Sequence, residues 1–186
     1  MQIKEFEVTE YSPEIQNKIE QAIVFLINKI TDRCYNKKPV ILHSLRVGLK
    51  LMEQKKEPNI VIAGFLHDLL EDTDCEYVNI EDEYGAKVAS LVLACSINKE
   101  IKGYRERWAK LVSNLKKEGK GAMIIKLIDQ ADNLPYYYLI NDENKKQEVI
   151  WKHKFFIDEC SKELKEYQIF EEYRRKVSKI MENAII

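Results

Sequence analysis

The sequence lacks the patterns that mark several common classes of protein. No stretch alternates polar with β-branched residues, and only six glycines and four prolines interrupt its 186 residues, which argues against a β-sheet protein. No apolar run approaches the roughly 20 residues of a membrane-spanning helix, and the N-terminus has no apolar signal segment. We therefore expect a helical protein with a cytoplasmic location and no membrane partner.

Cysteine motifs and an excess of positive charge are also missing. The net charge is −1, and no basic recognition helix stands out, so we expect no nucleic-acid partner. The sequence predicts no particular oligomeric state. The cysteines form no CxxC pair, which excludes a zinc knuckle or a redox dithiol and favours reduced structural thiols at Cys34, Cys75, Cys95 and Cys160.

Helical periodicity, by contrast, runs through the whole chain. Ser12 followed by Pro13 predicts the start of the first helix. A third helix, opened by Pro58, is apolar on almost every side over 60–70, which is typical of the centre of a bundle. A second helix should run to about Gln54 with one apolar face, formed by Leu42, Leu45, Leu49 and Met52.

The rest of the chain continues in the same way. Gly119 and Gly121 should mark the break between a helix over 104–117 and the next helix over 122–133. The predicted class is all-α, with residues 1–186 forming a single helical domain whose C-terminal helix packs on the core. Further helices are expected over 80–84, 86–93, 104–117, 122–133, 143–164 and 166–183.

Four residues with metal-binding chemistry interrupt these apolar helices. His67 and Asp68 lie inside the apolar third helix, where an unpaired charge would cost several kcal/mol. A core histidine with a capping aspartate would explain this pair alone. However, His43 lies beside the apolar face of the second helix, and Asp129 ends another apolar run. Two imidazoles and two carboxylates suit Mn, Fe, Zn, Co or Mg and leave positions for water and a phosphate.

Acidic residues follow the histidine–aspartate pair. Glu71 and Asp72 are four and five positions after His67, where they could activate an attacking water; a solvated helix end is the alternative. The segment 71–83 carries seven acidic residues and no basic ones, whereas 99–126 carries nine Lys or Arg and three Glu. These segments are either solvated helix faces or the two poles of a metal and phosphate site.

Four stretches make the chain resemble the HD-domain hydrolases, and among them the small RelA/SpoT-type alarmone hydrolases. Order and spacing match across roughly residues 25 to 160, and HDxxEDT followed by KLxDxxxNL is the specific part. The stretches are KPVILH at 38–43, HDLLEDT at 67–73, YGAKVA at 84–89 leading to Asn98-Lys99, and KLIDQADNL at 126–134.

The resemblance implies a fold, a cofactor and a reaction. It implies an HD-type helical bundle that hydrolyses guanosine tetra- or pentaphosphate at the 3′-pyrophosphate, leaving GDP or GTP and pyrophosphate. It implies that Glu71 and Asp72 position and activate the attacking water. The implied ligands of a manganese ion are His43, His67, Asp68 and Asp129.

Substrate contacts are implied as well. Asn133 matches an asparagine near the ribose and phosphates, and Arg33, with Lys37 or Lys38, falls where the family presents basic residues to the nucleotide. His153 falls near the nucleotide-stacking tyrosine, although Trp151 and Phe156 beside it favour a packing role. These five positions, Arg33, Lys37, Lys38, Asn133 and His153, complete the predicted nucleotide site.

Some positions depart from the family pattern. Ser44 replaces a proline, Val40 a tyrosine, and Gln130 an arginine or lysine, while Leu69 and Leu70 are bulkier than usual. These departures affect the guanine pocket rather than the ligands. Two alternatives therefore stay open: a broader HD phosphohydrolase acting on another nucleotide or small phosphate ester, and a binding module that keeps metal as a structural staple or senses a nucleotide.

Overall fold

A computed structural model describes residues 11–32 and 39–183, and every regular element in those ranges is a helix. The predicted all-α class is confirmed. No helix in these two ranges is both long and apolar enough to cross a lipid bilayer. The elements are α1 (Pro13–Asp32), α2 (Val40–Glu53), α3 (Pro58–Leu66), α4 (Leu69–Asp72), α5 (Tyr77–Tyr84), α6 (Ala86–Cys95), α7 (Tyr104–Glu118), α8 (Lys120–Asn133), a 3₁₀ helix (Leu134–Leu139), α9 (Glu143–Leu164) and α10 (Gln168–Asn183).

Helix boundaries follow the capping residues in the sequence. The Ser12 hydroxyl accepts a hydrogen bond from the Ile15 amide at 3.4 Å, at the start of α1. Between α7 and α8 the chain turns at Gly119, whose φ of 109° favours glycine. Gly121 was wrongly assigned to this break: it lies inside α8, where an added Cβ would come within 3.0 Å of Ile60.

Two glycines let α2 and α3 approach each other closely. A Cβ added at Gly48 would lie 2.3 Å from the ring of Phe65, and one added at Gly64 would lie 2.1 Å from Leu51. Atoms cannot approach so closely, so the helices pack at this distance only because both positions are glycine. This close packing sets the separation of the histidines that α2 and α3 carry.

The buried face of α2 differs from the predicted one. Leu42 and Leu49 are 57% and 53% exposed, whereas Val47, Gly48 and Leu51 are buried. Leu45 and Met52, the other two predicted residues, are partly buried against the core at the edge of the buried face. Apolar side chains occur on both sides of this helix, so periodicity alone chose mainly the wrong side. The glycine side is buried because it permits the closest approach of α3.

The predicted single helix over 60–70 is also wrong, because His67 and Asp68 separate α3 from α4. The His67 side chain supplies the reason. Its Nδ1 hydrogen-bonds to the carbonyl oxygen of Gly64 at 2.8 Å, and in a continued α-helix that carbonyl would accept from the Asp68 amide. The helix therefore ends at the residues with metal-binding chemistry.

Two helices form the centre of the bundle. All six residues 61–66 of α3 are buried, as expected for a central helix, and so are all nine residues 122–130 of α8. Helices α9 and α10 pack against each other and against α8, with Phe156, Phe170 and Tyr173 buried there. Side chains from α8 therefore reach the same interior as those of α2 and α3.

Candidate metal centre

Three side chains from different parts of the chain direct their donor atoms at one another. His43 lies on α2, His67 follows α3, and Asp129 lies on α8. His43 Nε2 is 3.2 Å from His67 Nε2 and 3.2 Å from Asp129 Oδ1, and all three side chains are buried. One donor atom of each lies within 4.8 Å of the other two. The structure thus brings together three of the four residues predicted as ligands.

Asp68, the fourth predicted ligand, borders the same group. Its Oδ1 is 3.1 Å from His67 Nε2, and its Oδ2 is 3.5 Å from His43 Nε2. Only 7% of the residue is exposed. Two imidazoles and two carboxylates therefore form one buried cluster.

Both imidazoles are held at the ring nitrogen that faces away from this cluster. His43 Nδ1 is 2.7 Å from Asp132 Oδ2, and His67 Nδ1 is 2.8 Å from the carbonyl oxygen of Gly64. Partners of this kind orient metal-binding histidines in other proteins. Asp132 was not predicted; its spacing of three residues from Asp129, on the same side of α8, was the signal in the sequence.

This donor set fits a divalent cation. Imidazole nitrogen and carboxylate oxygen are ligands that such ions accept. Neighbouring donors placed about 2.1 Å from a six-coordinate ion lie roughly 3 Å apart. The four closest donor pairs here are separated by 3.1 to 3.5 Å. The cluster therefore has both the chemistry and the spacing of a metal site.

Without a cation, the negative charge of the carboxylates favours protonation of the two histidines. Burial by itself lowers the pKa of His67, but the carboxylates of Asp68 and Asp129 outweigh it and raise that pKa to about 10. The pKa of His43 is raised in the same sense against its burial, by Asp129 and Asp132. The pKa of Asp129 falls well below its usual value, since Lys126 and both histidines overcome its burial.

Lys126 belongs to the cluster, although the sequence analysis gave this first residue of the KLxDxxxNL motif no role. Its Nζ is 2.8 Å from Asp129 Oδ2 and donates to the Cys95 carbonyl at 3.1 Å, and the residue is only 4% exposed. Burial lowers the pKa of this amine, but the negative charges of Asp129, Glu71 and Asp68 outweigh burial, so the pKa is raised overall. The sequence signal was a lysine inside the apolar run 124–128.

Glu71, one of the two predicted catalytic residues, interacts electrostatically with the charged residues of this cluster. Its Oε1 accepts a hydrogen bond from the Ile97 amide at 2.8 Å. Burial raises the pKa of its carboxyl, Lys126 opposes the rise, and Asp68 adds to it. Asp72, its predicted partner, is half-buried at the end of α4.

The predicted substrate contacts fall in three different places. The Asn133 amide donates to Asp129 Oδ1, so it borders the cluster. His153 is instead buried, and its Nδ1 is 2.6 Å from the Tyr173 hydroxyl between α9 and α10. The three basic positions predicted to meet the nucleotide lie outside the described residues: Arg33, Lys37 and Lys38.

The basic segment 99–126 is divided between the two interpretations given for it. Lys126 enters the cluster, and Lys99 Nζ donates to the backbone carbonyl of Glu71. Elsewhere its lysines form surface ion pairs: Lys116 with Glu159 and Lys120 with Glu166. Only its two ends therefore approach the candidate metal centre, and the middle is a solvated face.

Comparison with known proteins identifies one matching family and several relatives. The HD domain family matches residues 22–153. The guanosine-3′,5′-bis(diphosphate) 3′-pyrophosphohydrolase of Aquifex aeolicus is 34% identical over 113 residues, which are 59% of this chain and 16% of that protein. The Drosophila melanogaster guanosine-3′,5′-bis(diphosphate) 3′-pyrophosphohydrolase MESH1 is 31% identical over 98 residues, 52% of this chain and 54% of that protein.

The fold also has a close counterpart among solved structures. A metazoan ortholog of SpoT, described as hydrolysing ppGpp, superposes with a TM-score of 0.69 over 94% of this chain and 97% of that one, at 21% identity. At this identity the similarity establishes the fold. Together with the family match, it places the cluster in an HD-type helical bundle.

Proposed function

The chain belongs to the HD domain family, and we propose that it is a metal-dependent hydrolase that removes the 3′-pyrophosphate of guanosine tetra- or pentaphosphate. The observation that carries the proposal is the buried convergence of His43, His67 and Asp129 beside Asp68. The names of the Aquifex and Drosophila relatives support this substrate class. The products would be pyrophosphate and GDP or GTP.

The four clustered side chains would hold the cation, for which we propose manganese on the resemblance described above. When bound, a divalent cation supplies Lewis acidity that polarises a phosphoryl oxygen and makes water more acidic. The chain's part is to keep four donors close together in a buried site. Asp129 does this with Oδ1 at the cluster while Oδ2 is held by Lys126.

Glu71 is our candidate for the group that accepts the proton of the attacking water. The Ile97 amide holds its Oε1, which fixes the direction of the carboxylate. Its raised pKa brings its basicity closer to neutral pH, as general-base catalysis requires. We propose that Asp72 helps Glu71 to position the water.

Asn133 is our candidate for a substrate contact next to the metal ligands. Its amide already donates to Asp129 Oδ1, so a substrate phosphate bound at the cluster would come within its reach. We propose that Arg33, Lys37 and Lys38 neutralise the remaining phosphate charge. His153 is the weakest of these assignments, because its ring is hydrogen-bonded to Tyr173 inside the bundle.

The proposal is tested by incubating purified, Mn²⁺-loaded protein with guanosine tetraphosphate and separating the products by anion-exchange chromatography. We expect GDP and pyrophosphate from the wild type. Asp68→Ala is the inactive control. Intact alarmone after incubation with metal-loaded protein would overturn the proposed substrate.

Glu71→Gln tests the catalytic assignment within the same assay. Glutamine keeps an oxygen that can accept from the Ile97 amide but cannot act as a base at neutral pH. We expect kcat to fall by about 10²- to 10⁴-fold, the usual contribution of a general base. Glu83→Gln, an exposed position on α5, is the matched control and should leave kcat unchanged. Equal kcat values in the two variants would exclude Glu71 as the base.

A broader phosphohydrolase is the second candidate function. Gln130 is buried and its side-chain amide donates to Asp129 Oδ2 at 3.2 Å, so no cationic side chain stands where the resembled family has Arg or Lys. The missing positive charge favours a substrate that carries less negative charge than guanosine tetraphosphate. Phosphate release from a nucleotide monoester, with guanosine tetraphosphate left intact, would favour this function. Metal binding without turnover of any substrate would favour the binding module.

A further inference from the structure

The two ring nitrogens of His43 have separate sets of partners. Nε2 faces the cluster, 3.2 Å from His67 Nε2, whereas Nδ1 is 2.7 Å from Asp132 Oδ2. His43 belongs to α2 and Asp132 to α8, so this hydrogen bond also joins two helices that contribute to the site. His43 is 1% exposed, and its ring therefore has a fixed environment on both edges.

The chemistry of a carboxylate determines which tautomer His43 adopts. An ionised carboxylate can only accept, so Nδ1 must carry a proton, and in the neutral imidazole that can bind metal Nε2 then presents its lone pair to the cluster. An amide at position 132 could either accept from Nδ1 or donate to it, so it would no longer enforce the tautomer that leaves Nε2 free to bind metal. The Gly64 carbonyl imposes the same tautomer on His67, because it too can only accept.

Arg46 holds Asp132 from the other side. Arg46 Nε donates to Asp132 Oδ1 at 2.6 Å, and Nη2 donates to Oδ2 at 2.7 Å, a two-point contact that fixes the carboxylate plane. Arg46 is three residues after His43, so one face of α2 supplies both partners of Asp132. Arg46 and Asp132 also line a cavity of about 620 Å³, so the pair lies between that cavity and His43.

We propose that Asp132 is a positioning residue that keeps His43 in its metal-binding tautomer and orientation, and that Arg46 keeps Asp132 in place. The inference rests on the proposed role of His43 as a metal ligand, but not on the identity of the substrate. Neither Asp132 nor Arg46 is among the four proposed metal ligands.

Metal affinity, rather than turnover, tests this inference. Mn²⁺ titration calorimetry would compare the wild type with Asp132→Ala, Asp132→Asn and Arg46→Gln. Removal of a residue that orients a ligand typically costs about 10- to 100-fold in metal affinity, and we expect a loss of this size for Asp132→Ala. Asp132→Asn and Arg46→Gln should lose less, because each keeps part of the hydrogen-bonded chain.

The control is a second ion pair on the same helix. Lys50 and Glu53 also lie on α2, pair with each other at 2.6 Å and line the same cavity, but both side chains are exposed at the surface. Glu53→Gln should therefore bind Mn²⁺ within about twofold of the wild type. The visible spectrum of the Co²⁺-loaded proteins is the second readout: Asp132→Ala should shift it, since His43 changes its geometry, and Glu53→Gln should not.

The outcomes separate this inference from the metal site itself. Wild-type protein that binds no Mn²⁺ would overturn the metal centre and this inference with it. Wild-type affinity together with an unchanged Co²⁺ spectrum in Asp132→Ala would overturn only the positioning role. If Asp132→Ala does not fold, Asp132→Asn decides in its place, because it preserves the shape of the side chain; unchanged affinity there would overturn the tautomer argument.

Discussion

His153 is expected to make the stability of the protein depend on pH. The residue is 3% exposed, with Nδ1 2.6 Å from the Tyr173 hydroxyl. Burial, aided by the charge of Lys152, lowers its pKa well below the usual 6.5, so the folded protein keeps this imidazole neutral. The unfolded chain has no such restriction and takes up a proton as the pH falls through about 6.5.

The sign and size of the effect follow from this difference in proton binding. Because the folded pKa is the lower one, the stability from a neutral His153 is fully present above pH 6.5 and is lost below it. Between pH 7.5 and pH 5.5 the loss amounts to about 1.4 kcal/mol, equivalent to one pKa unit. The loss continues with further acidification until the folded-state pKa is reached.

Urea unfolding of wild type and His153→Gln at these two pH values measures the effect. Chelator is present throughout, so that no metal contributes. Glutamine can still hydrogen-bond to the Tyr173 hydroxyl but does not titrate, so the wild type should lose about 1.4 kcal/mol more than the variant between pH 7.5 and pH 5.5. Tyr173→Phe, which keeps the imidazole buried, should retain the wild-type pH dependence. Equal losses in wild type and His153→Gln would refute the reasoning.

Three further predictions concern the metal centre and its support. Mn²⁺ affinity should rise between pH 6 and pH 9, because the pKa of His67 is raised to about 10 and that of His43 is also raised, so the cation must displace protons. Calorimetry in two buffers would detect the release of these protons, and an affinity that does not change with pH would contradict the prediction. Mn²⁺ at about 100 times its Kd should stabilise the fold by about 2.7 kcal/mol, raising Tm by roughly 5–10 °C in a melting experiment; an unchanged Tm would argue against a folded-state site. Gly48→Ala should destabilise the protein by about 1–3 kcal/mol in urea unfolding, because its Cβ would lie 2.3 Å from the Phe65 ring; a neutral effect would show that α2 and α3 separate readily.

The helices could be predicted from the sequence because their ends are marked locally. Ser12 with Pro13, and glycines such as Gly119, act within one turn of the boundary they create. The orientation of α2 could not be predicted, since Leu42 and Leu49 form as good an apolar stripe as the side that is buried. That choice depends on Gly48 meeting Phe65 from another helix, which is a property of the pair and not of either segment.

The clustered ligands could be proposed from the sequence for a related reason. A histidine or aspartate within an apolar helix must be compensated, and this is visible in one segment at a time. The charged residues that complete the site gave a weaker signal. Asp132 and Arg46 resemble ordinary surface charges along their own helices, and only the packing of α2 against α8 brings them together at His43. The interruption at His67 depended likewise on a side chain competing for a backbone carbonyl.

Charge balance explains why the cluster includes a lysine. Asp68, Asp129 and Glu71, when ionised, bring three negative charges to one buried region, and Lys126 brings one positive charge. A divalent cation would supply the two that remain, and in its absence the raised pKa values of both histidines let two protons do so. Cation and protons therefore balance the same charge. Without Lys126, one buried negative charge would stay uncompensated in either state, at a cost of about 3–5 kcal/mol for a broken buried ion pair.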